Sequence, residues 1–127
     1  MSAMTGKRRF SREYVADARE WFDEVLRAAR DVHVRGERRA AEGILLSLDR
    51  WFIDREVVRR RPSPLTELTA VVGAILGDGT LREPPGSVYD PDEAVLGCPL
   101  GAHITLTFDD ADLLGHAVFD ALEAHRS

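Results

Sequence analysis

Between Phe10 and Val32, apolar residues return every three or four positions: Tyr14, Ala18, Trp21, Phe22, Val25, Ala28, Ala29 and Val32. That period puts them on one stripe of an α-helix. Ser11 suits the N-cap, and Phe10 before it can pack on Val15 as a staple. Gly36 then marks a break, with His33-Val34-Arg35-Gly36 as a tight connection. A second stripe runs through Ala41, Ile44, Leu45, Leu48, Trp51, Phe52 and Val58, and Pro62 stops it. A short connection between two such helices predicts an antiparallel hairpin. The pairs Trp21-Phe22 and Trp51-Phe52 read as its core anchors, or as groups crossing a dimer interface.

Ser63-Pro64 opens a third helix, with serine as cap and proline at the first helical position. Leu65, Leu68, Val71, Val72, Ile75 and Leu76 make this helix apolar enough to be central, and Gly77-Asp78-Gly79 ends it. Residues 80–101 are rich in proline and glycine and predict a long irregular loop. His103 to Phe108 alternates and is rich in β-formers, so a strand is expected there, paired with Thr80–Arg82 or Ser87–Tyr89. Asp109, Asp110 and Asp112 then cap a last helix, with Phe108 and Leu113 as its staple. Leu113, Leu114, Ala117, Val118, Ala121 and Leu122 are its expected buried face. The fold expected is a single, mainly α domain over 10–127, behind a loose tail at 1–9. Its parts are a long helical hairpin, a central apolar helix, a small β element and a C-terminal helix.

The chain has 127 residues, enough for one domain with its own core, and 44% hydrophobic with 31% charged residues is ordinary for a globular protein. A single cysteine, Cys98, excludes an internal disulfide and points to a reducing cytoplasm. The basic N-terminus is followed by no apolar segment of the kind a signal peptide carries, and no apolar run is long enough to span a bilayer.

Charge changes the picture more. Residues 1–62 hold 15 cations and 11 acids, a net +4, whereas 63–127 hold two cations and 11 acids, a net −9. Such asymmetry marks a docking or polyanion-binding half. A hairpin would bring Lys7, Arg8, Arg9 and Arg12 beside Arg59, Arg60 and Arg61, and would gather Arg30, Arg35, Arg38 and Arg39 at its other end. Phosphates bind such clusters through counterion release. The competing reading is that acids of the second half pair with these arginines. The loop carries its own candidate surface, Glu83, Asp90, Asp92 and Glu93 around Tyr89, suited to a basic partner or to a second copy of this chain.

Catalytic signals are thin. Val71-Val72-Gly73-Ala74-Ile75-Leu76-Gly77-Asp78-Gly79 resembles the nine-residue motif of the LAGLIDADG homing endonucleases, and by that resemblance Asp78 would bind a catalytic metal. The resemblance covers nine residues, and a helix-ending turn accounts for the same Gly-Asp-Gly. Arg27 and His33 fit the Arg-x4–6-His spacing of HEPN-type ribonucleases, which implies RNA cleavage at a dimer interface, although Ala28 replaces that family's usual polar residue. Cys98, His103 and His116, with nearby aspartates, are the residues that would hold a metal, but their spacing matches no zinc pattern. No nucleophile elbow or phosphate-cradling loop occurs, and no cofactor is implied. The functional expectation is a protein-interaction module acting on a protein partner or on itself. A nucleic-acid-binding regulator is the alternative, and a helical nuclease the third reading.

Overall fold

The computed structural model describes residues 10–32, 36–55 and 61–124. Four helices carry the fold: α1 (Arg12–Asp31), α2 (Glu37–Trp51), α3 (Pro64–Leu76) and α4 (Phe108–Ala124). The chain is mainly helical, and none of these helices is long and apolar enough to cross a membrane.

The predicted caps form. The Ser11 hydroxyl accepts the Tyr14 N–H, and the Ser63 hydroxyl accepts the Thr66 N–H ahead of Pro64. Gly36 takes φ +87°, a left-handed conformation that glycine reaches without strain, and α2 begins directly after it. The rings of Phe10 and Tyr14 at the start of α1 lie against Phe52 and Trp51 at the end of α2, so the hairpin is antiparallel. On the far side, Arg19, Asp23 and Arg30 meet Asp120, His116 and Asp109, numbers that fall along α4 as they rise along α1. α4 is therefore also antiparallel to α1 and lies parallel to α2.

α2 and α4 pack on each other and on both remaining helices, which makes them the middle of the bundle. This corrects the expectation of a central α3. Its apolar character has another cause: α3 packs on α2 and α4, and the 80–101 loop is tied to it at Glu67. Leu65 to Leu68, Ala70 to Val72 and Ala74 are all buried as a result.

Three further expectations are corrected. α2 ends at Trp51, well before Pro62, because Arg55 turns back. Its N–H and guanidinium bond the Phe52 carbonyl, and its side chain, 4% exposed, pairs with Asp49 at 2.8 Å. Val58 lies outside the described residues. The β element is reduced to one isolated bridge between Thr80 and His103, and no strand forms among the described residues. The alternation itself is real, since Ile104, Leu106 and Phe108 are buried while His103, Thr105 and Thr107 are exposed. Backbone bonds join Ile104 to Gly79 and Leu81 to Ala102 and Gly101, but the chain before Gly79 turns into α3 and offers residues 105–107 no antiparallel neighbour, so an extended segment lies on the core without a ladder. Helix α4 also claims Phe108. Thr107 and Asp110 exchange side-chain-to-backbone bonds of 3.0 and 3.1 Å, a capping box that starts the helix earlier than Asp109. Finally, Leu113 is exposed, and Phe108, Ala111 and Phe119 are buried in the face it was expected to share.

Candidate functional site

Part of the charge asymmetry is absorbed within the chain. Arg19 bonds Asp120 and Glu123, and Arg30 bonds Asp109 and Asp112 at 2.9 and 3.4 Å, so cations of the first half face acids of the second. Arg38 and Arg39 turn to Glu42. Of the residues expected to form a basic end, Arg12 and Arg61 are exposed, whereas Arg8, Arg9, Arg59 and Arg60 lie outside the described residues.

The nuclease candidates are placed as follows. Asp78 lies in the turn after α3, where two Arg82 bonds and the Thr80 N–H, each 3.0 Å, hold its carboxyl well below the usual range. Arg27 is exposed on α1, and His33 lies outside the described residues. The His103 ring lies over Gly79. Cys98 is half-buried, and burial pushes its thiol up. His116 stands at the α1–α4 seam. Among the described residues no three His, Cys, Asp or Glu side chains gather where a metal ion would fit, so Cys98, His103 and His116 are not brought together as a metal group.

The acidic loop is built into the molecule. Tyr89 is buried, its hydroxyl donates to the Cys98 carbonyl at 2.6 Å, and its N–H donates to Glu83 at 2.9 Å. Burial first, and then the Glu67 carboxylate, push the Tyr89 phenol up to about 12. Asp90 accepts the Asp92 N–H within a turn, leaving Asp92 and Glu93 exposed. The tie to the body is Glu67 on α3, 2% exposed, whose carboxylate accepts the Val95 and Leu96 N–H groups at 2.8 and 2.9 Å. Burial raises its pKa, and those two bonds pull against the rise.

A different surface emerges on the outer side of the α1–α2 hairpin. Neighbouring positions on a helix point about 100° apart. Phe22 and Phe52 therefore enter the core while Trp21 and Trp51 stop at its edge. The two indoles face each other with centroids 5.8 Å apart, and Tyr14, 38% exposed, lies 5.2 Å from Trp51. These rings line two adjoining hollows of about 450 and 310 Å³ that share Tyr14, Arg50 and Trp51. Ser47 lines the first, and Ile53 and Asp54 line the second. The Tyr14 hydroxyl donates to the Trp51 carbonyl, which holds the wall of the groove in place.

Charge flanks the rings on both sides. Glu13, Asp17, Glu20, Glu24 and Asp31 recur at helical spacing along the exposed face of α1, and none has an ion pair among the described residues. On α2 the exposed stripe is Arg39, Gly43, Ser47 and Arg50, and Arg50 also has no ion-pair partner among the described residues. The sequence pattern put Tyr14 and both tryptophans in the apolar stripes and gave no sign of Ser47 or Arg50 beside them. The one available signal was that consecutive Trp-Phe residues cannot both face one core.

Compared with known protein families, curated proteins and solved structures, the chain matches none.

Proposed function

We propose that this chain is a protein-interaction module whose docking surface is the aromatic groove between α1 and α2. One observation carries the reading. Tyr14, Trp21 and Trp51 are left half open around shared hollows although the same hairpin buries Phe22 and Phe52 completely. Aromatic side chains with an arginine among them are the residues that most often anchor protein interfaces. A groove running between two antiparallel helices fits a third helix laid along it. Its apolar anchors would meet the rings, with acids toward Arg50 and cations toward the α1 stripe.

Nucleic-acid binding draws less support from the same surface. Base stacking on tryptophan needs a cationic surround, and here four acids of α1 adjoin the rings while Arg19 and Arg30 are engaged with α4.

Trp21 and Trp51 are the only tryptophans of the chain, so its indole emission reports on this groove alone. The test is a titration with a designed amphipathic helical peptide, with Leu and Phe on one face, Lys along one edge and Glu along the other. A saturable blue shift, lost in Trp51→Ala with Trp21 as the remaining reporter, is expected. No saturable change at millimolar peptide overturns the reading.

A further inference from the structure

We infer that the helix received by this groove comes from a second copy of the same chain, paired about a two-fold axis parallel to the hairpin. The inference rests on the docking reading above and names its partner. A surface that pairs with itself must be self-complementary under its symmetry operation. This face carries the two halves of such a match, an acidic stripe on α1 and an arginine-bearing stripe on α2, with the aromatic rings between them.

The charges also select the geometry. An axis across the helices would lay α1 on α1 and oppose acid to acid. An axis along the helices instead lays α1 of each copy on α2 of the other, at the same level along the hairpin. Tyr14 lies level with Trp51, so Glu13 and Asp17 of one copy come over Arg50 of the other. Toward the connecting turn, Glu24 comes over the level of Arg39, whose side chain stays 76% exposed while it also meets Glu42 of its own helix. Both copies form every contact twice, and Trp21 and Trp51 of each copy approach those of the other near the axis.

Shape supports the same arrangement. Gly43 and Ser47, four residues apart, are the small members of the α2 stripe, and no atom lies within 4 Å of where a Gly43 side chain would begin. They leave a notch in which a facing helix can approach closely. Arg19 and Arg30 are turned away toward α4, so of the α1 arginines only Arg12 and Arg27 are left beside the five acids, and the stripe remains net acidic.

The test is sedimentation equilibrium of the full chain at low and raised salt. A mass near twice 14.1 kDa is expected, with a dissociation constant that rises with salt. Arg50→Glu should weaken the dimer by about tenfold or more, and so should Glu13→Arg combined with Asp17→Arg. Joining all three substitutions should restore assembly to within about threefold, because each reversed stripe again meets its opposite across the axis. Such rescue is not expected of variants that merely damage the fold. A monomer at millimolar concentration in low salt overturns the inference, and the peptide titration then decides separately whether the groove docks another protein. A dimer indifferent to all of these substitutions also overturns it, since its interface lies elsewhere.

Discussion

Gly115 of α4 receives the tip of the Phe22 ring from α1. A side-chain carbon added there would meet the edge of that fully buried ring. This contact sets how closely the two helices approach and leaves room beside it for His116, whose ring stands edge-on to Phe22 with centroids 5.6 Å apart.

Gly115→Ala should therefore destabilise the protein even though alanine is the better helix former. Overpacking a filled core costs roughly 1–3 kcal/mol, against a helix gain of about 1 kcal/mol. Gly73→Ala is the control. Nothing lies within 4 Å of its added carbon, so a gain of about 0.5–1 kcal/mol is expected from the same chemical change. Urea denaturation of the two variants checks the opposite signs.

Arg55 joins the end of α2 to α3. Its guanidinium reaches Asp49 at 2.8 Å, the Thr69 hydroxyl at 2.6 Å, and the carbonyls of Phe52 and Leu65. Arg55→Ala strands Asp49 and those acceptors and should cost about 3–5 kcal/mol. Arg55→Lys should recover little of it, because one ammonium cannot span the planar fork. Thermal unfolding of both variants is the measurement.

Removing the Glu67 carboxylate should release the loop before it unfolds the bundle. Glu67→Ala leaves the Val95 and Leu96 N–H groups without their acceptors, a loss of about 1–3 kcal/mol. Hydrogen exchange should quicken first at those two amides, with the helices still protected. Uniform quickening across the chain would show instead that the loop and bundle open as one unit.

Both ring nitrogens of His116 face acceptors. Nδ1 lies 3.0 Å from the Asp112 carbonyl and 2.6 Å from its carboxylate, and Nε2 lies 3.0 Å from Asp23. Burial works against the charged ring, but the Asp112 carbonyl and the two carboxylates outweigh it and raise the pKa above 6.5. A group whose folded pKa is raised adds stability that is complete below the unfolded value and is lost as pH climbs through the folded one. The stability difference between the wild type and His116→Gln should therefore grow on acidification through that interval. A difference independent of pH would mean that the ring acts only by packing.

Local pattern was enough to read the four helices, the caps at Ser11 and Ser63, the turn at Gly36 and the irregular loop. Helix periodicity, capping chemistry and glycine's freedom act over a few residues, so neighbouring letters carry them. The charge split by position was equally visible, and so were the two tryptophans. Tertiary structure alone decided the rest. It set Arg19 and Arg30 on the acids of α4, ended α2 with an arginine that finds its partners on α3, and left His103 to Thr107 extended without a ladder. It also divided each Trp-Phe pair between core and surface, and so placed Tyr14 and Arg50 beside both indoles. Each of these depends on which distant segments meet, and the periodicity of one segment does not specify its partner.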